Sequence, residues 1–167
     1  MKPEDLEKLP PDVKKDFMKY AIKLAEKKTQ SAAHDDFLTF TKHVWPQFIE
    51  GDHHKKIAEK FNRLAKGECK RLIINMPPRH TKSEFASNLL PAWMVGRKPD
   101  LKIIQTTHTT ELAVRFGRKA KTLIDSPEYQ QIFKTRLKED SQAAGKWETQ
   151  QGGEYYAAGV GSAITGR

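Results

Sequence analysis

The chain has 167 residues with 30 Lys+Arg against 21 Asp+Glu, a formal charge of +9, and a pI of about 9.6. That is the length of about one domain, and the basic balance favours a polyanionic partner, either nucleic acid or phosphates. No apolar run approaches the ~20 residues of a membrane-spanning helix, the opening stretch has no apolar segment of a secretory leader, and Cys69 as the single cysteine excludes a disulfide framework or a cysteine-built zinc cage, so a reducing, cytosolic setting without a membrane partner is expected.

From Pro11 to Lys28, Val13, Phe17, Tyr20, Ala21 and Leu24 recur at three- and four-residue steps and predict an amphipathic helix, interrupted by Thr29-Gln30-Ser31. A second helix is predicted from Asp35 to Val44, ended by Trp45-Pro46. A third runs from Asp52 to Lys66, with Ile57, Ala58, Phe61, Leu64 and Ala65 inward and Gly67 as its left-handed cap. Arg71 to Met76 is a short, nearly continuous apolar run that reads as a strand buried on both faces. The helix predicted from Ser83 to Trp93 carries Pro91, which should kink it or end it early. Lys102 to Thr107 reads as a second strand and Thr110 to Ile124 as the next helix, with Leu112, Ala113, Phe116, Ala120, Leu123 and Ile124 inward. Strand and helix alternating in this order imply parallel strands with right-handed crossovers. A short helix from Glu128 to Phe133 leads into a polar loop, followed by strand-like Trp147 to Thr149 and Glu154 to Ala158 around Gly152-Gly153, and then a glycine-rich run.

The segment from Leu72 to Ser83 carries the chemistry. A phosphate-binding P-loop, GxxxxGK[S/T], lies between a buried strand and a helix: its backbone N–H groups wrap the phosphates, its lysine reaches the terminal phosphates, and its hydroxyl ligates Mg²⁺. Lys82-Ser83 stands at the matching place, but both glycine positions depart, as Met76 and Thr81. A β-branched Thr81 requires a loop that tolerates it, one that Pro77 and Pro78 would stiffen. The plainer alternative is an ordinary strand-to-helix turn with an exposed lysine.

Asn75-Met-Pro-Pro-Arg-His-Thr-Lys-Ser83, with Phe37-Leu-Thr-Phe40, Val44-Trp-Pro46 and Asp52-His-His54 before it and Pro91-Ala-Trp93 and Thr106-Thr-His-Thr109 after it, resembles the large terminase subunit of tailed bacteriophages. The resemblance continues through Leu112-Ala-Val-Arg-Phe-Gly-Arg118, Ser126-Pro-Glu-Tyr129 and Gly159-Val-Gly-Ser-Ala-Ile-Thr-Gly166. It implies a P-loop NTPase-like parallel sheet of the additional-strand type with flanking helices: residues 1–34 as an N-terminal helical extension and 35–167 as a partial ATPase domain with an incomplete core. It also implies an ATPase that drives double-stranded DNA into a procapsid, with ATP and Mg²⁺ as cofactors. The implied partners are the portal protein, a small terminase subunit and further copies in a ring, and the implied location is the host cytoplasm. Many members read Pro-Pro-Arg-His-Gly-Lys-Ser in the loop, so Thr81 is a departure.

Carried onto this chain, the resemblance assigns Pro78, Arg79, His80, Thr81, Lys82 and Ser83 to the nucleotide. Lys82 would meet the β and γ phosphates, Ser83 the Mg²⁺, and Arg79 the γ-phosphate; Arg79 would otherwise be a surface residue holding the loop. Trp45 would either stack on the base or anchor the core. Arg115, Arg118 and Lys119 share one face of the later helix, as a DNA or ring-neighbour contact or as a solvated face. His108 would face the nucleotide or cap a helix. His53-His54 lacks the partners of a metal site. Arg167 is a candidate arginine finger. The family's acidic strand and its nuclease domain have no counterpart in these residues, and Glu139-Asp140 does not follow a buried strand, so weak turnover by this chain alone is expected. The other readings are a non-catalytic basic module that binds DNA or a viral partner, its P-loop decayed through the glycine losses, and a helicase-type or small-molecule P-loop enzyme.

Overall fold

A computed structural model describes residues 10–162. Six α-helices and a four-stranded mixed sheet form the described chain: α1 Pro11–Asp35, α2 Phe37–Val44, α3 Asp52–Ala65, a π-helical turn Glu84–Leu89 running into α4 Leu90–Arg97, β1 Lys102–Thr107, α5 Thr110–Ile124, α6 Pro127–Ile132, β2 Leu137–Ala143, β3 Lys146–Thr149 and β4 Glu154–Gly159. Among the described residues no helix is long and apolar enough to cross a membrane.

The helical half is organised around one ring. Asp36 ends α1 and caps α2: its carboxylate accepts from the Thr39 N–H (2.8 Å), the Thr39 hydroxyl (2.7 Å) and Asn62 Nδ2 (2.7 Å). Burial alone would push this carboxyl up, but those hydrogen bonds and the Lys42 charge outweigh it and hold it below its ordinary value. Phe37, next in sequence, is fully buried and meets Phe61, Phe85 and Trp93 edge to face at 4.9, 5.3 and 5.5 Å. α3 stops as its sequence predicts. Gly67 is left-handed (φ 77°), its N–H bonds Leu64 O and the Glu68 N–H bonds Arg63 O, which completes a Schellman cap.

The sheet has the order β1-β4-β3-β2. β1 pairs parallel with β4, from Lys102 opposite Glu154 to Thr107 opposite Gly159, while β4–β3 and β3–β2 are antiparallel. α5 lies between the sheet and the helical half, packing on β1 and β4 on one side and on the π turn and α4 on the other. Gly117 permits the closest approach on the sheet side. A Cβ there would fall 2.4 Å from Ala144 O, and its carbonyl accepts from Trp147 Nε1, whose indole stacks on Tyr155 at 4.7 Å.

Several expectations are corrected. Residues 71–76 join no ladder among the described residues, so the parallel crossover between that run and β1 is not formed. They are buried on one face only, with Leu72, Ile74 and Met76 turned to the core and Ile73 86% exposed. The helix after the loop does not stop at Pro91: the preceding turn widens, Leu90 N–H bonding Phe85 O, and the helix continues to Arg97. That wider turn accommodates a proline that has no N–H to give and whose ring would clash with the preceding turn. α1 runs through Thr29, whose hydroxyl bonds Ala25 O at 3.0 Å instead of breaking the helix. Its predicted apolar face is exposed, with Tyr20 at 67%. The stripe buried by α5 is Ala113, Gly117, Ala120 and Ile124, leaving Leu112 exposed. β2 occupies what reads as polar loop.

Candidate functional site

Residues 76–84 enclose a concavity of about 590 Å³, lined by Met76, Pro77, Pro78, Arg79, His80, Thr81, Lys82, Ser83 and Glu84. The whole 78–83 assignment therefore falls on one surface feature. Arg79, His80, Lys82 and Ser83 are exposed around it, and the helical run to Arg97 begins at Lys82. The first bond of that run is from the Phe85 N–H to Thr81 O (2.9 Å). The N–H groups of the turn before it have no carbonyl inside the helix to bond, and together with the helix dipole they favour an anion.

Two residues of the loop are left-handed without being glycine, Arg79 at φ 64° and Thr81 at φ 58°. For a β-branched residue this region is a true outlier, costing about 1–2 kcal/mol. Thr81 stands at the second glycine position of the P-loop pattern, so the backbone adopts there the conformation for which glycine is ordinarily required.

His54 lies against this residue. It is 5% exposed, packed against Phe48 and Phe85 with ring centroids at 4.8 and 5.0 Å. Its Nδ1 accepts from the Gly51 N–H at 2.9 Å, and its Nε2 lies 2.6 Å from Thr81 Oγ1, whose own proton goes to His80 O at 2.7 Å. An imidazole that accepts at Nδ1 while facing a hydroxyl whose hydrogen is already committed must be neutral with its hydrogen on Nε2. Burial lowers its pKa below the ordinary 6.5 and the neighbouring His53 and His80 lower it further, with Glu50 opposing. In the sequence His54 belongs to a motif of the resemblance and is set aside as a metal ligand, with no role toward the loop. A non-glycine residue at a glycine position is the one signal that such a partner is needed.

The remaining candidates separate. Trp45 does not line the concavity; it is half-buried against the core, its ring 5.5 Å from Phe48. Lys119 leaves the proposed basic face to pair with Glu84, which also accepts from Asn88 Nδ2 at 3.1 Å. Arg115 and Arg118 stay exposed, beside a second concavity that they line with Thr109, Glu111, Leu112 and Val114. His108 is exposed at the end of β1, and Thr109, not His108, caps α5 by accepting from the Leu112 N–H. Arg167, with Thr165 and Gly166, lies outside the described residues. Among the described residues no three histidine, cysteine or carboxylate side chains are placed to hold a metal. Compared with family models, with curated proteins and with solved structures, the chain finds no match in any of the three.

Proposed function

We propose that this chain is the ATP-binding part of a viral DNA-packaging motor of the large terminase type, whose loop 76–83 takes up Mg·ATP. In the complete motor, hydrolysis would be coupled to movement of double-stranded DNA into a procapsid, by a ring of copies on the portal protein with DNA delivered by a small terminase subunit. The observation that carries the reading is the left-handed backbone at Thr81, a glycine-type conformation at the glycine position of the motif, directly before Lys82 and Ser83 at a helix start. The residues fit the group. Backbone N–H groups and Lys82 would hold the phosphates, Arg79 would lie beside the terminal one, and the Ser83 hydroxyl would serve Mg²⁺, which neutralises phosphate charge during transfer.

In the finer fold that goes with this reading, an additional-strand P-loop ATPase, residues 71–76 would be a strand of the sheet. Here they run beside α3, bordering a groove with His53, Lys56, Ile57 and Lys60. Among the described residues Glu84 is the only carboxylate lining the concavity, and its pairing with Lys119 and Asn88 removes it as a base for attacking water. The chain by itself is therefore a nucleotide binder with weak turnover.

Thermal unfolding with and without Mg·ATP tests the reading. Saturating nucleotide at about 100 Kd should add about 2.7 kcal/mol of stability to the wild type, and Lys82→Ala should lose that shift. Salt-sensitive DNA affinity with no nucleotide effect would replace this reading with that of a basic binding module. Robust, Lys82-dependent phosphate release by the isolated chain would contradict the assignment of weak turnover.

A further inference from the structure

We infer that His54 is the positioning residue of the phosphate loop: acting through the Thr81 hydroxyl, it stands in for the glycine that the loop lacks. Three observations converge on this pair. The backbone at Thr81 is left-handed, which no β-branched side chain adopts without support. Among the described residues, the only side chain bonded to Thr81 Oγ1 is His54, from a helix 27 positions earlier in the chain. That imidazole is itself held at its far side by the Gly51 N–H and clamped between Phe48 and Phe85, the second of which belongs to the helix that the loop begins.

The chain of hydrogen bonds has one direction. Gly51 N–H gives to His54 Nδ1, His54 Nε2–H gives to Thr81 Oγ1, and Thr81 Oγ1–H gives to His80 O. Every donor is used once, and the final acceptor is the carbonyl of the residue between the two left-handed positions. The start of α3 is thereby tied to the middle of the loop. A glycine at 81 would adopt the same φ without help, and the His54 hydrogen bond would then have nothing to hold in place.

The claim that His54 shapes the loop stands on this geometry; its consequence for polyphosphate rests on the nucleotide reading above. A double-mutant cycle separates the two. In the full chain, His54→Ala and Thr81→Val (the same shape without the hydroxyl) are each expected to weaken Mg·ATP binding about tenfold, the loss that follows when one half-buried hydrogen bond is broken and its partner stranded. In a Thr81→Gly background, His54→Ala should cost no more than about twofold. Equal losses in both backgrounds would overturn the inference, because they would make His54 an ordinary core residue. Should the wild type bind no Mg·ATP, the nucleotide reading falls, and the same cycle measured by urea unfolding still decides the latch: coupling between 54 and 81 upholds it and additivity rejects it. Should His54→Ala fail to fold, nitrogen NMR of the wild type at pH 7 decides the matter instead. A neutral ring with hydrogen on Nε2 is expected, and an imidazolium or a hydrogen on Nδ1 rejects the inference.

Discussion

Two junctions in this molecule carry an extended segment into a helix, and they are built on opposite principles. Where β1 enters α5, Thr109 is in ordinary extended conformation (φ −123°, ψ 148°) and accepts from the Leu112 N–H, while the Thr107 hydroxyl bonds Thr109 O at 2.7 Å. Gly159 at the end of β4 presses against it so closely that a Cβ would lie 2.4 Å from Thr110 N. The cap is supplied locally by Thr109, and the β4 backbone packs against the helix start, which also borders the second concavity through Thr109, Glu111 and Leu112. Where residues 71–76 enter the other helix, two non-glycine residues are left-handed, the Thr81 hydroxyl is met from outside the loop by His54 of α3, and a concavity of about 590 Å³ borders the helix start. The first junction resembles a structural cap and the second a binding loop. The turn that holds a β-branched residue left-handed draws on a side chain from elsewhere in the fold, and the turn in ordinary extended conformation does not.

The contrast can be broken from either side. Gly159→Ala should have the largest effect, about 3 kcal/mol of destabilisation, since its methyl meets backbone rather than a movable side chain; a fall in the urea midpoint without change in slope would register it. A near-neutral result would mean that β4 and the start of α5 move apart at little cost. Thr109→Ala removes the local cap of α5 and should cost about 1 kcal/mol by the same measurement. The smallest effect is that of acid on the open junction. His54 has a pKa below its ordinary 6.5 in the folded chain, chiefly through burial, so the unfolded chain takes up that proton first as pH falls. Its contribution to stability is then fully present above the ordinary value and is lost as pH drops from about 6.5 towards the lower folded value. His54→Gln, which keeps an N–H donor and cannot titrate, should flatten this part of a stability profile measured between about pH 7.5 and 5.5. An unchanged slope would show that His54 does not titrate as its surroundings require.

The open junction is legible in the sequence as a motif and not as a structure. Lys82-Ser83 after an apolar run points to this turn, and a concavity lies there, because a lysine and a hydroxyl at a helix start are a local pattern. The support for Thr81 is not legible, since it comes from a histidine that only the packing of α3 brings near. Residues 71–76 mislead for a related reason. A run such as Leu-Ile-Ile-Asn-Met has the composition of a doubly buried strand, but burial depends on neighbours, and only the face of Leu72, Ile74 and Met76 packs against the core. β2 escapes a sequence reading because Lys138, Glu139 and Asp140 disfavour a strand on their own. It is held by pairing with β3, including Lys138 Nζ on Glu148 at 2.7 Å. α3, Gly67 and β1 are legible because their signals, a periodic face, a cap and a short β-rich run, act within a few residues of themselves.

The widened turn before Pro91 also sets the phase of the helix that follows the loop. Phe85 and Trp93 both strike the Phe37 ring edge-on, yet at about 100° per residue an unbroken α-helix would leave them about 80° apart around its axis. Absorbing one additional residue in the turn brings that angle to about 20°, close enough for both rings to meet the same partner. Deleting a single residue such as Ala86 would therefore keep the two rings aligned while restoring a plain α-helix, in which Pro91 would strike the carbonyl of the fourth residue before it. Proline and extra residue form a matched pair, so a length change in this helix is tolerated only together with replacement of Pro91.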